Sequence, residues 1–378
     1  MDSTYWFVPI RCAKNPASTE PLGWRRMNSL AFCLRPGFRK HKKVAISSTG
    51  WLNETNKHLP ILLNAEQLVV PKHHTHGEEC AGFVQWGILE TDDSKVRLRG
   101  LAQDLGKPLA FIEDGFIRSL GIGLSREPGR SIIMDDLGFY YDASKPSRSE
   151  TILNSDESFG WLKMRRARRA ISIIVKNKVS KYNDAPDILP AGIAGAETNR
   201  RILIIDQRLG DASISGALAG QKDFAAMLKH AFDQEGAEVI VKIHPDAMTS
   251  GKLSAVSSNL GPYVSNPRLK IIEEKVNPYT LFEAVGEVYT VSSGMGFEAV
   301  MAGKPVTCFG VPYYAGWGIT KDMMPAPRRN KKRSVEEVFH VVWVMLSRYA
   351  DPKTGRLCSV EHAAVSMAEE RKSVGLTR

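Results

Sequence analysis

Five places in this 378-residue chain set chemically able side chains among glycine, serine or proline. In EDGFIRSLGIG (113–123), Glu113 and Asp114 close a short apolar run, and Gly115, Gly121 and Gly123 allow close backbone approach. Paired carboxylates at a strand end can move protons or hold a sugar hydroxyl. On spacing alone a tight polar bend at Asp114-Gly115 is the plainer reading. In DQRLGDASI (206–214), Asp211 lies in a loop just after a strand. An ionised aspartate facing a cleft can act as nucleophile in sugar transfer; on the residues alone, Asp211 or Ser213 simply capping the next helix is the plainer reading. In KIHPD (242–246), His244 ends a strand ahead of Pro245, where an imidazole can stabilise charge on a departing phosphate or serve structure.

The fourth string is VSSGMGFEAVMAGKPV (291–306). Ser292, Ser293 and Gly294 lead into a helix whose N-terminus favours an anion. Glu298 in its first turn can accept from ribose hydroxyls or merely suit the helix dipole. The fifth, PYYAGWGITKD (312–322), packs two tyrosines and Trp317 among glycines. It fits a stacking surface or an aromatic plug, and spacing does not choose. KHHTH (72–76) has no partner at metal-ligand spacing, and Asp135-Asp136 reads as a strand-end turn, so no metal site is expected.

Alternating apolar runs and helical patterns must position these groups. Short β-rich runs occur at 44–47, 62–70, 81–87, 108–114, 131–136 and 138–142, with a helix over 94–106. The second half alternates more clearly: strands near 201–206, 237–246, 268–274, 287–293 and 305–310, helices near 220–236, 277–285 and 296–303. This predicts an α/β protein with doubly wound parallel sheets, whose ligands bind at the carboxyl ends of strands. The expected divisions are an irregular extension over 1–43, a Rossmann-like domain over 44–155 and a basic helical linker over 156–197. A nucleotide-binding Rossmann-like domain over 198–325 and C-terminal helices over 326–378 complete the chain.

Net charge is +10, which favours an anionic partner. No recognised motif accompanies it, so nucleic acid is not expected. WLKMRRARRAISIIVKNKVSKY (161–182) is a basic amphipathic helix; it fits a solvated face or an anionic membrane surface. Five scattered cysteines without a CxxC pair suit a reducing compartment. The first 43 residues do not read as a secretory signal, and no apolar run reaches membrane-spanning length. The expected location is therefore cytoplasmic.

Taken in order over 44–360, seven strings together resemble the capsule polysaccharide synthesis family of KpsC, KpsS and rhizobial LpsZ-type proteins. They are FIEDGFIRS, SIIMDDLGFYYDASKPS, DQRLGDASI, VKIHPD, SSGMGFEAVMAGKPVTCFG, PYYAGWG and YADPKTGRLC. The resemblance implies a GT-B-like fold, with two Rossmann-like domains facing across a cleft. It implies a retaining β-Kdo transferase that takes Kdo from CMP-Kdo and needs no cofactor. The product would be a β-Kdo linker on a phosphatidylglycerol-type glycolipid, at the inner face of the inner membrane. KpsC carries two such modules, and this chain has room for one.

By motif match the resemblance makes Asp211 the nucleophile and Glu113 the acid/base, with Asp114 competing for that second role. It places the nucleotide at His244, Pro245, Ser292, Ser293 and Gly294, and a ribose contact at Glu298. Because Kdo is a carboxylate, Arg118 or Arg208 can clamp it. Retention by two carboxylates predicts that Glu113 and Asp211 approach to roughly 5–6 Å. The alternatives are a UDP-sugar transferase or epimerase on the same fold, and a non-catalytic assembly or export component.

Overall fold

The computed structural model describes residues 41–48, 50, 54–88, 92–121, 127–193, 200–244 and 254–377. Pro245, Asp246 and Gly123 lie outside the described residues. The strands of the first half are β1 (His41–Ile46), β2 (Ala65–Val69), β3 (Phe83–Trp86), β4 (Leu109–Asp114) and β5 (Ser131–Asp135). Those of the second half are β6 (Arg201–Ile205), β7 (Glu238–Lys242), β8 (Leu269–Ile272), β9 (Glu287–Thr290), β10 (Val306–Cys308) and β11 (Lys321–Asp322). They are followed by β12 (Ser347–Asp351) and β13 (Arg356–Cys358).

These strands form two sheets. The second runs β11-β10-β9-β6-β7-β8 and every pairing in it is parallel. β6 reads RILII, and all five residues are buried, as a strand covered on both faces requires. The chain winds outward in one direction from β6 to β8 and in the other from β9 to β11. The order therefore reverses between β6 and β9, and a ligand crevice opens at such a switch point. The loops after these two strands carry Asp206–Asp211 and Ser292-Ser293.

The first sheet runs β13-β12-β5-β4-β3-β1-β2. Only β2, β1, β3 and β4 are parallel; β5, β12 and β13 pair antiparallel. Two expectations change here. Residues 326–378 are not only helices: the helix Val335–Phe339 widens into a π-helical turn, His340–Met345, and the chain then extends into β12 and β13. The helical periodicity of FHVVWVML hides this switch, whereas Pro352 and Gly355 mark the hairpin that follows. Residues 138–142 are turn and loop rather than strand. There Phe139 packs on Phe111 with ring centroids 5.0 Å apart, and a Cβ on Gly138 would sit 2.8 Å from the Pro146 carbonyl oxygen.

One apolar cluster runs between the sheets. Phe116 stacks on Trp343 at 4.4 Å, and Phe297 and Tyr313 pack beside them. Tyr313, Tyr314 and Trp317 are buried, so PYYAGWG is the aromatic plug of its two readings. The halves also meet through polar contacts. The Ala143 amide donates to the Gly216 carbonyl at 2.6 Å, and a Cβ at Gly216 would lie 2.7 Å from the Tyr141 carbonyl oxygen. Buried Glu150 accepts from Arg328 at 2.8 Å and from Arg329 at 3.0 Å, so these two arginines of the basic run 328–333 are internal ties.

Candidate active site

The switch-point loops are knitted by a residue the sequence reading missed. Gln207 is buried; its Nε2 donates to the Ser292 hydroxyl at 2.8 Å, and its Oε1 accepts the Ser292 amide at 2.8 Å. Ser213 completes the cluster, its hydroxyl 3.3 Å from that of Ser292. Asp211, Ser213, Ser292 and Ser293 therefore share the crevice at the carboxyl ends of β6 and β9. Asp206 does not face it. Its oxygens accept the amides of His244 and Val256, each at 3.0 Å, which anchors the loop after β7.

Asp211 caps the helix Ala212–Gly216 through Oδ1, which accepts the Ser213 amide at 2.8 Å. The capping role is thus real, and only one carboxylate oxygen serves it. Oδ2 makes no hydrogen bond or ion pair to a described residue. Ser293 caps the helix Gly294–Met301, its hydroxyl accepting the Met295 amide at 3.3 Å. The exposed Gly294 opens that helix, and the half-buried His244 follows β7, the strand on the other side of β6 from β9. The arginine of this loop, Arg208, is half-buried.

On the opposite side, Glu113 and Asp114 end β4, and their environments separate them. Glu113 Oε1 accepts the Trp86 indole N–H and the Asp114 amide, both at 3.1 Å. Desolvation raises the Glu113 carboxyl above its ordinary value and Asp114 adds to this, while Lys181 opposes it. Asp114 instead pairs with Arg118, Nε to Oδ2 at 2.9 Å. Arg118 is buried and also donates to the Ser119 hydroxyl at 3.0 Å. The clamp expected of Arg118 is therefore already closed on Asp114, within its own loop, which leaves Arg208 of the two arginines. Likewise Asp114 is bound to a cation, whereas burial holds Glu113 above the ordinary carboxyl value.

That pairing makes a measurable claim. Removing one partner of a buried ion pair leaves the other uncompensated and costs about 3–5 kcal/mol. Asp114 keeps some water contact, so Arg118→Ala is expected at about 3 kcal/mol of lost stability in urea titration. Unchanged stability with a raised donor KM would return Arg118 to substrate binding.

Glu298 is a correction. It is only 4% exposed, and both carboxylate oxygens accept the Ser180 hydroxyl, at 2.8 and 2.9 Å. Burial pushes its carboxyl up to about 7. It lies beneath the crevice holding Ser180 and is not presented to a ribose. A helix-facing glutamate looks alike in sequence whether it points to solvent or to a neighbouring segment.

The segment so held brings in Lys181. Burial alone would lower its ammonium, but Tyr182, Tyr140, Asp114 and Glu113 around it raise it instead. Tyr140 and Tyr141 follow β5 and pack against each other and against Phe116 and Phe139. Burial raises both phenols, and Glu113 and Asp211 each raise both further. Charges from the end of β4 and from the loop after β6 thus reach the same two hydroxyls. Lys181, Tyr140, Tyr141 and Gln207 lie within strings quoted from the sequence without being singled out there; their partners come from distant parts of the chain.

Elsewhere, Asp135 and Asp136 are structural. Asp135 accepts the Leu137, Gly138 and Arg148 amides, and Asp136 holds the Arg148 guanidinium in a two-pronged buried pair at 2.7 and 2.8 Å. In KHHTH, His74 lies 3.5 Å from Glu78. No cluster of three or more His, Cys, Asp or Glu among the described residues could hold a metal.

Residues 83–189 and 192–349 match the family described as "Capsule polysaccharide biosynthesis protein". The chain belongs to that family. Over 302 residues, 77% of this chain, it is 34% identical to the capsule polysaccharide modification protein LipA of Neisseria meningitidis serogroup A, and covers 42% of LipA. Over 301 residues, again 77%, it is 34% identical to the lipopolysaccharide-processing protein LpsZ of Rhizobium meliloti, and covers 65% of LpsZ. The chain therefore spans less than two thirds of either relative. A solved structure titled "Thermosulfurimonas dismutans KpsC, beta Kdo 2,4 transferase" superposes with a TM-score of 0.76 at 33% identity, covering 86% of this chain and 98% of that one. Its beta Kdo 2,7 counterpart gives 0.62 at 25% identity. This capsule-synthesis chain therefore has the GT-B-like α/β architecture expected from its sequence, one module in size.

Proposed function

We propose that this chain is a glycosyltransferase of surface-polysaccharide synthesis that transfers Kdo from CMP-Kdo with retention, by double displacement. The acceptor is a Kdo-bearing or phosphatidylglycerol-type glycolipid at the cytoplasmic face of the membrane. The observation that carries this reading is that Asp211, with one carboxylate oxygen left unbonded to described residues, shares the loops at the carboxyl ends of β6 and β9 with Ser213, Ser292 and Gln207. The likeness to the KpsC beta Kdo transferase over nearly the whole of that chain supports the sugar.

The steps follow from the residues. Asp211 attacks the anomeric carbon through the oxygen not used as a cap, and the C–O bond to CMP breaks with its electron pair on the phosphate. CMP leaves as a stable anion and needs no strong acid. His244 and the N-terminus of Gly294–Met301 stabilise that charge. Glu113, as its carboxylate, then removes the acceptor hydroxyl proton as the acceptor oxygen displaces Asp211. Arg208 and Lys181 are the cations at hand for the sugar's carboxylate. Pro245 is retained in this reading as a neighbour of the nucleotide.

The test is incubation with CMP-Kdo and a Kdo-primed lipid, with products read by mass spectrometry and anomeric NMR, beside CMP, UDP and GDP thermal titrations. One added β-configured Kdo and stabilisation by CMP are expected. Stabilisation by UDP and not CMP, or an inverted product, overturns the reading.

A further inference from the structure

The helix Gly160–Lys176 divides its basic side chains in two. Ala167, Ala170 and Ile174 are fully buried on its inner face, and Ile171, Ile173 and Val175 pack against the same core. The isoleucines that would make the 161–182 segment a lipid-facing stripe in sequence therefore point the other way. On the flanks, Arg166 pairs with Glu361 at 2.7 Å and Arg168 with Glu336 at 3.1 Å. Opposite the buried face, Trp161, Leu162, Arg165, Arg169 and Lys176 fall within an arc of about 100° at 3.6 residues per turn. Trp161 is 69% and Leu162 60% exposed. Arg165, Arg169 and Lys176 have no ion pair or hydrogen bond to a described residue.

We infer that this outer stripe is a docking surface for an anionic lipid bilayer. Charge complementarity selects the occupant. The chain neutralises its flanking arginines with its own glutamates and leaves three outer cations for an external anion. Indole is the side chain best suited to the headgroup boundary, being apolar in body and polar at one edge. The cations supply attraction to acidic headgroups that salt screens. No helix among the described residues is long and apolar enough to cross a membrane, so contact on this face would be peripheral. The inference deepens the lipid-borne acceptor of the proposed function, but its readout does not depend on transfer.

The experiment is sedimentation of the full chain with vesicles of phosphatidylglycerol and phosphatidylcholine, against phosphatidylcholine alone, at low and high salt. Wild type is expected to pellet only with the acidic vesicles, and less so in high salt. Arg165→Ala with Arg169→Ala should weaken partitioning about 30-fold, and Trp161→Ala should weaken it too. Arg168→Ala, at a position already paired within the chain, should change it little. Unaltered circular dichroism and thermal midpoints in these exposed-site variants show that folding is not the cause. Transfer to a soluble acceptor should persist in the double variant, whereas Asp211→Asn should lose transfer and keep vesicle binding. Failure of wild type to bind acidic vesicles, or equal binding by the double variant, overturns the inference. So does polyanion binding that ignores Trp161, which would assign the patch to charge alone.

Discussion

Asp211→Asn is expected to lower kcat for Kdo transfer by about 10³–10⁴-fold, while CMP binding and thermal stability stay close to wild type. The magnitude is that of removing a carboxylate from a covalent catalytic unit. The substitution isolates chemistry from structure because the capping oxygen is conserved. Oδ1 accepts the Ser213 amide at 2.8 Å, and asparagine caps a helix about as well as aspartate, so stability should move by less than about 0.5 kcal/mol. Its amide cannot attack an anomeric carbon. Steady-state assay beside a CMP melting-shift titration checks both halves. Full activity in this variant would leave Asp211 as a cap and nothing more.

Glu113→Gln is the second large effect. Its Oε1 accepts the Trp86 indole and the Asp114 amide, and a glutamine oxygen can accept both. Transfer is expected to fall about 10²–10⁴-fold, the worth of a positioned general base. Stability should move the opposite way. Desolvation, with Asp114 second, raises the folded carboxyl above its ordinary 4.5. The folded state therefore holds this proton more tightly than the unfolded chain. That contribution is full below the unfolded value and is lost as pH rises through the folded one. Glutamine has no such loss, so the variant should gain on wild type as pH rises from acid to neutral and match it in acid. Urea titrations across that range read the difference. A variant less stable at neutral pH would mean that the Glu113 carboxylate is held by a cation in the fold and not left desolvated.

The sequence showed strand ends more clearly than it showed what faces the crevice. β6, β7 and β9 are short apolar runs followed by polar loops, and that pattern alone places Asp211, His244 and Ser292-Ser293 at one sheet edge. It could not separate Glu113 from Asp114, because their difference lies in Arg118, which takes one and leaves the other. Nor could it tell that Glu298 points at Ser180, 118 positions away in sequence. Gln207, Tyr140 and Lys181 went unread for the same reason: each acts through partners brought close only by tertiary structure. β12 was hidden by a helical apolar period that runs on into a strand.

The central claim, a nucleophile from one lobe and a proton carrier from the other, is tested most directly by the mass of the Glu113→Gln protein after exposure to CMP-Kdo without acceptor. CMP departure needs no acid, so the first displacement should proceed and the second should stall. A mass increase of one Kdo residue, mapped to the peptide holding Asp211, is the predicted result. An unmodified protein that nonetheless consumes donor would contradict it.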